Sequence, residues 1–552
     1  MASALRAIAL RRPLSLLPRP VILSVSTTRS FIGLGEIAGV IANPAETLRQ
    51  LNESKQMLQK AKEDMELSRE AKKIPKKHTF SKLPGFHGRK AEQALLRKIL
   101  SNNPKMTVIF GATSVGKTAL LREVLATDDY FVVKFDLRIS GFADLRTLYL
   151  ALCEQFQTFF EGMHDKEMDK QGLTFKHLIL EMTEKDKQEG GHEVTVADLA
   201  SLMESLQSCL LKYWEYDPAT ATNDQNKDTS SDSSGSRRKP AVRKVNNNDE
   251  SIETQAETKT SDETSKPKFQ KRPIVFLLDE AHKLPALVDN NLSLKVFLDT
   301  LLVLTKQDRL CHVLLSTSDS FFHHFLRSMN VGHHAQILTI GDCNREETLN
   351  YFHEKMLPQI PQRLASRLNF DDLWDVFGGK LSHINDYISS WVNSDGEMTP
   401  YQSAIFIQAY TLLQFHLTHP TFETFSPLSD ATAGVSTKDD NAKFSPSDLI
   451  RVMKQLVKSP YSLPYFSLCR QIGTQQVDSM IKTRILELRW TRTIVPEEEG
   501  VERVWSRDGI ERPIVLPMTR IIRKAMEVVL KEDDVMEDEK SSKAKHAESE
   551  KK

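Results

Sequence analysis

Eight consecutive residues, Gly111-Ala112-Thr113-Ser114-Val115-Gly116-Lys117-Thr118, fit G-x-x-x-x-G-K-[ST] at every fixed position. The glycines let the backbone turn tightly, so that successive N–H groups converge on phosphate oxygens, and a helix starting there adds positive potential. In such a cradle Lys117 reaches the β- and γ-phosphates of ATP, and the Thr118 hydroxyl ligates magnesium. A second signal is Ile274-Val275-Phe276-Leu277-Leu278-Asp279-Glu280, an apolar run ending in two carboxylates. Asp279 is placed to hold the magnesium, mostly through water, and Glu280 to orient or deprotonate an attacking water. Alone, Asp-Glu is a common strand-to-loop boundary. Beside a phosphate loop it implies a Mg2+-ATP site, with the two strands expected side by side. A third run, His312-Val313-Leu314-Leu315, ends in Ser316-Thr317-Ser318-Asp319. Ser316 and Ser318, as part of that group, are candidates to touch the γ-phosphate or the lytic water; a plain Ser/Thr turn explains them equally well.

These residues need a scaffold, and the chain between Phe86 and about Ile340 alternates strands with helices. Short apolar runs predict buried strands at Thr107–Phe110, Phe131–Asp136, Ile274–Leu278, His312–Ser316 and Gln336–Ile340. That pattern argues for a parallel sheet covered on both faces. Leu145, Leu148, Leu152, Phe156 and Phe159 recur at helical spacing and predict a core-facing stripe. Residues 217–272 lose almost all aromatics and large aliphatics, which predicts a disordered insertion. Ala119–Leu125, just after the loop, reads as a helix.

Upstream of the loop, Phe86-His87-Gly88-Arg89-Lys90-Ala91-Glu92 resembles the F-x-G-R-x-x-E box of AAA+ and STAND-type ATPases. The resemblance implies that Arg89 and its neighbours lie against the adenine. Ile337–Asp342 followed by Arg345-Glu346-Glu347 looks like that family's fifth strand and the start of its helical lid. Val376-Phe377-Gly378-Gly379-Lys380 resembles the lid's G-G element, with Lys380 where an Arg is expected. The layout of residues 32–530 is similar to a group of fungal mitochondrial AAA+ ATPases. It implies an α/β fold: an AAA+-type P-loop NTPase parallel sheet with a helical lid and a C-terminal winged-helix domain.

The C-terminal unit also reads this way from its residues. Ser445 caps a helix with Pro446 at its first position. Further helices are predicted over Pro464–Arg470 and Thr474 to about Arg489, and wing strands at Ile494-Val495, Val504-Trp505 and Ile514–Leu516. Lys482, Arg484 and Arg489 would face phosphates or a major groove if this unit reads DNA. Glu497-Glu498-Glu499 and Glu502 in the wing oppose that use and favour a protein-docking or regulatory role.

Lys+Arg and Asp+Glu both number 74 in 552 residues, which excludes a generally basic nucleic-acid coat and an acidic solvating chain. Cys153, Cys209, Cys311, Cys343 and Cys469 show no paired spacing, so neither a disulfide framework nor a Cys-type zinc site is expected. No apolar run is long enough for a transmembrane segment. Residues 1–35 carry Arg6, Arg11, Arg12, Arg19 and Arg29 without an acid, the signature of a mitochondrial transit peptide with processing near Phe31. The matrix is the expected compartment. Asp279-Glu280-Ala281-His282 spells a helicase box, but no second helicase lobe follows, so His282 reads as a loop residue. His323-His324 and His333-His334 read as surface histidines.

The expected organisation is a transit peptide (1–31), an N-terminal helical segment (32–80), a nucleotide-binding core (81–340), a helical lid (341–400), a winged-helix region (401–530) and a charged disordered tail (531–552). The expected activity is hydrolysis of ATP with Mg2+ to drive or switch a macromolecular interaction. A slow-hydrolysing signalling switch and a nucleic-acid-binding ATPase of mitochondrial DNA maintenance are the alternatives. Expected partners are an unknown protein, another copy of the chain in a homo-oligomer, or nucleic acid through the winged helix. Arg327 is a candidate finger toward a neighbouring subunit, with a plain surface arginine as the alternative.

Overall fold

The computed structural model describes residues 80–138, 144–163, 165–189, 194–216, 271–287, 290–419, 444–497 and 510–549. The chain divides into two units, Met1–Thr79 and Phe80–Lys552. The leader, the N-terminal helix, Val504-Trp505 and all but the last two residues of the insertion lie outside the described residues.

In the second unit five runs of β-formers become parallel strands: β1 (Met106–Phe110), β2 (Phe131–Asp136), β3 (Ile274–Asp279), β4 (His312–Thr317) and β5 (Ala335–Thr339). Their order is β2-β3-β4-β1-β5. β1, β3 and β4 are buried along their whole length, which explains their unbroken apolar runs. β4 pairs with β1 through Ile109 opposite Ser316, and with β3 through Leu278 opposite Leu315. The phosphate-loop strand and the acidic strand are therefore not neighbours, contrary to the side-by-side expectation. The polar end of β4 stands between them.

Alternation along the strands assigns each face its core. Ile109, Val275, Leu277 and Leu314 point to the face covered by α1 (Lys90–Leu100) and α2 (Lys117–Leu125). Val108, Phe276, Leu278 and Leu315 point to the other. There α3 (Leu145–Glu161), α4 (Lys166–Glu189), α5 (Val196–Glu215) and α6 (Asn291–Leu302) surround Phe156, Phe160, Phe175 and Phe297. The stripe foreseen on α3 is core, with Leu148, Leu152 and Phe156 fully buried. Each such side chain contributes about 1.5–3 kcal/mol. Asp144 and Thr147 close a capping box at the start of α3.

Both ends of the insertion meet at one side chain. The Arg272 amide donates to Tyr213 Oη at 2.8 Å, and Tyr213 Oη donates to the Arg272 carbonyl at 2.9 Å. Since loop-closure entropy changes by only about 0.6 kcal/mol per doubling of length, replacing residues 218–270 by a short Gly/Ser bridge should leave ATPase activity largely intact. Steady-state phosphate release checks this; an inactive or insoluble variant would make the segment structural.

After β4 comes α7 (Phe322–Ser328), which carries Arg327 exposed. Over the stretch expected to form a lid come α8 (Arg345–Tyr351), α9 (Phe370–Phe377) and α10 (Leu381–Asn393), and beyond it α11 (Ala404–Thr418). Then come α12 (Pro446–Leu456), β6 (Leu463–Pro464), α13 (Tyr465–Ile472), α14 (Thr474–Lys482), β7 (Leu486–Arg489), β8 (Ile514–Pro517) and α15 (Arg520–Ser549). Ser445 and Asp448 cap α12, with Pro446 at its first position as foreseen. The last three strands form an antiparallel sheet in the order β6-β8-β7.

Three expectations fail here. Ile494-Val495 form no strand; only Thr493 beside them bridges to Thr339. The third helix stops at Lys482, because Arg484 turns into the left-handed region at φ 63°, and Leu486–Arg489 become a strand. The tail expected to be disordered from 531 is helical to Ser549. Ile521, Ala525, Met526 and Val529 bury the start of that helix. Good helix formers (Glu, Lys, Met, Ala) continue it beyond the packed turns.

Candidate nucleotide site

β1 delivers the loop to the C-terminal edge of the sheet. Gly111 ends the strand so close to β5's continuation that a Cβ there would lie 2.3 Å from the Ile340 carbonyl oxygen. Ser114 and Gly116 are left-handed, φ 62° and 93°, and swing the chain into α2 without a side-chain cap. The N–H groups of its first turn thus lack side-chain partners and suit an anion. Lys117 Nζ donates to the carbonyls of Gly111 at 2.8 Å and Ala112 at 2.9 Å. Burial lowers its pKa to about 8, against the pull of Glu280, Asp279 and Glu487.

Thr118 Oγ1 donates to Asp279 Oδ2 at 2.7 Å, joining the loop to the acidic strand across the width of β4. Asp279 is buried. A residue not foreseen, Arg138 just beyond β2, forks onto Asp136 with Nε at 2.8 Å from Oδ1 and Nη2 at 2.7 Å from Oδ2. The same Nη2 lies 3.2 Å from Asp279 Oδ2. Only Asp136, a carboxylate closing a predicted strand, hinted at this arrangement.

Glu280 is left-handed at φ 57° and opens the 3-10 turn Ala281–Lys283. A non-glycine residue in that region stores strain. Its Oε2 accepts from Ser318 Oγ at 3.5 Å and lies 3.6 Å from His282 Nε2. Ser316 is fully buried at the end of β4, and Ser318 is the serine that reaches the carboxylate. His282 is buried too, not a simple loop residue.

Arg89, expected with its neighbours against the adenine, is engaged by the protein itself. Its guanidinium is buried and holds the protein to itself, donating to the Val115 carbonyl at 2.7 Å, the Gly341 carbonyl at 2.9 Å and Glu92 at 3.0 Å. It ties the loop to the start of the lid and positions the cradle. Its backbone N–H donates to Glu347 of α8 at 2.9 Å. The G-G element lies against the same connection: a Cβ on Gly379 would overlap the Cys343 carbonyl at 1.7 Å. Lys380 follows, buried and near enough to Lys117 to depress its pKa. Ser382 Oγ lies 3.5 Å from the Ser114 carbonyl, bringing α10 to the loop.

The C-terminal unit closes over this edge, which the sequence did not announce. Arg484 Nη1 donates to the Ser318 carbonyl at 3.1 Å, and Trp490 Nε1 to the Ser320 carbonyl at 2.9 Å. The Ile494 amide donates to the Thr339 carbonyl at 3.1 Å, and the Asp342 amide to Glu497 Oε1 at 2.6 Å. Arg489 is buried between Glu487 at 2.9 Å and Glu497 at 3.0 Å. Arg484 and Arg489, which would face phosphates if this unit read DNA, are engaged with the protein itself, and Glu497 is an internal partner. His323 and His324 pack against Trp490, the first tilted and the second edge-on, with ring centroids 5.3 and 4.9 Å away, so they form part of this contact.

Among the described residues, no group of three or more His, Cys, Asp or Glu is arranged to hold a metal unaided. The paired oxygens of Thr118 and Asp279 fit magnesium, which takes one or two protein ligands and completes its shell with phosphates and water. Among the described residues, no helix is long and apolar enough to cross a membrane.

A family model described as an ATPase domain predominantly from Archaea matches residues 86–387, more than half of the chain. No curated protein matches in sequence. Similar solved structures include the Walker-type ATPase of Pyrococcus abyssi, 12% identical, covering 81% of this chain and 97% of that one with a TM-score of 0.41. The ORC2 protein of Aeropyrum pernix, in ADPNP-ADP complexes, is 11% identical and covers 82% and 96% with a TM-score of 0.29. A STAND protein of Pyrococcus horikoshii with a tetratricopeptide repeat sensor is 11% identical and covers 83% of this chain and 44% of that one, TM-score 0.26.

Proposed function

Because the chain belongs to the family of ATPase domains found predominantly in Archaea, and is thus an ATP hydrolase with a P-loop fold, we propose how its residues divide the work and where it acts. Lys117 and the first turn of α2 bind the β- and γ-phosphates of ATP. Thr118 and Asp279 hold Mg2+, which when bound neutralises charge on the phosphate oxygens. Glu280 accepts the proton of a water that attacks the γ-phosphorus, while the bond to the β-phosphate oxygen breaks and ADP leaves. Ser318 steadies the Glu280 carboxylate. The observation that carries this reading is the convergence of Lys117, Thr118, Asp279 and Glu280, from two separate segments, on one edge of the sheet. Magnesium-dependent phosphate release from ATP by the purified chain, lost on substitution of these residues, tests it.

A second reading, the slow switch, is favoured by the C-terminal unit. Arg484, Trp490 and Glu497 hold β7 and its flanks on the ends of β4 and β5 beside the phosphate loop. A unit so placed is suited to respond to nucleotide state and to expose a surface to a protein partner. We therefore favour ATP hydrolysis coupled to a protein interaction, with a winged helix as the responding element. Turnover that rises with partner or assembly supports a switch; turnover indifferent to both supports a constitutive motor.

The place of action is proposed as the mitochondrial matrix, on the strength of five arginines and no acid before Glu36. N-terminal sequencing of the protein isolated from mitochondria should find a start near Ile32, and an intact Met1 in a cytosolic fraction would refute it.

A further inference from the structure

His282 lies outside every role given so far. It is 3% exposed, and no other residue is hydrogen-bonded to its Nδ1. Its Nε2 lies 3.6 Å from Glu280 Oε2. Burial, with Arg484, Lys117 and Lys283 nearby, lowers its pKa to about 3, so the ring is neutral and carries a single N–H. A proton on Nδ1 would be a buried donor without a partner, which is costly. On Nε2 it faces a carboxylate. The physics therefore selects the Nε2–H tautomer.

The backbone makes the same point. Glu280 is held at φ 57° by a 3-10 turn in which the Lys283 amide donates to the Glu280 carbonyl at 3.0 Å. That turn doubles the chain back, so that the side chains of residues 280 and 282 meet. Ser318 approaches the same oxygen, Oε2, at 3.5 Å from β4. Two donors from different segments thus converge on one oxygen, leaving Oε1 as the one with neither beside it.

We propose that His282 is a positioning residue for hydrolysis, donating from Nε2 to Glu280 Oε2 so that Oε1 is the oxygen presented to the attacking water. The inference rests on the reading of Glu280 as the proton acceptor. In this role the ring acts through the carboxylate. Removing the outer partner of a functional group typically lowers activity about 10–100-fold.

The experiment compares His282→Leu, His282→Gln, Glu280→Gln and the double variant Glu280→Gln/His282→Leu in the full chain, measuring ATP affinity and single-turnover hydrolysis of bound ATP. His282→Leu should keep affinity and lose about 10–100-fold in rate. His282→Gln, whose amide can donate from a similar reach, should recover most of it. In the double variant the Leu should add nothing to the loss from Glu280→Gln. If His282→Leu hydrolyses at the wild-type rate while Glu280→Gln is slow, this inference falls and the reading of Glu280 stands. If Glu280→Gln itself hydrolyses normally, the reading of Glu280 falls first. If His282→Leu and His282→Gln lose affinity and rate alike, or both fail to fold, His282 only fills the core and the inference is overturned.

Discussion

Lys117→Ala leaves a folded protein that no longer holds ATP at useful concentrations. Truncating one partner of a buried, hydrogen-bonded charge pair costs about 2–5 kcal/mol, which is roughly 30-fold to several thousand-fold in affinity. The fold should survive because this ammonium is not a stabilising charge. Burial lowers its pKa from 10.5 to about 8. Between those values the unfolded chain holds the proton more tightly, so stability rises with pH, and below about 8 the buried charge is a full cost to folding. The Ala variant removes that cost and, against it, strips the Gly111 and Ala112 carbonyls of a donor. Calorimetric titration with ATP and magnesium, on a variant with a normal thermal transition, decides the matter. Unchanged affinity would remove the loop from nucleotide binding.

The reason this site could be read from sequence is that its parts are local. Gly111, Gly116, Lys117 and Thr118 sit in one eight-residue turn whose geometry is set by the glycines themselves. The runs before Gly111 and Asp279 are apolar because β1 and β3 are buried on both faces. Strand order is not local. Nothing in His312–Thr317 says that it inserts between β1 and β3, and only pairing on both sides places Ser318 beside Glu280.

The third helix of the C-terminal unit reads too long in the sequence for a related reason. Val477, Ile481, Ile485 and Leu488 fit a helical period, yet Ile485 and Leu488 are buried in and before a strand. The break is Arg484 in the left-handed region, where a glycine would have announced it. Arg489 looked like a phosphate contact because an isolated arginine reads as surface. Its two carboxylate partners, Glu487 and Glu497, come together only once β7 exists. In sequence His282 reads as a loop residue because its burial depends on the turn closing behind Glu280, a property of the fold and not of the tetrapeptide.

Glu280→Gln should bind ATP as tightly as the wild type and hydrolyse it 10²–10⁴-fold more slowly, the range for loss of a general base. Affinity survives because Lys117, the first turn of α2 and the Thr118–Asp279 pair are untouched. Shape survives because Gln matches Glu in length and can still accept from Ser318 at its carbonyl oxygen. What disappears is an oxygen able to take a proton, an interaction made only as the water attacks. If Glu280 merely shaped the strained turn at φ 57°, Gln would serve as well and the rate would hold. Single-turnover hydrolysis separates the two because it is blind to product release. Steady-state turnover would not, since a switch limited by ADP release could hide a tenfold loss in chemistry. A near-normal single-turnover rate would take Glu280 out of the mechanism and leave the water to be oriented by other groups at the end of β4, with Ser316 and Ser318 the first to replace.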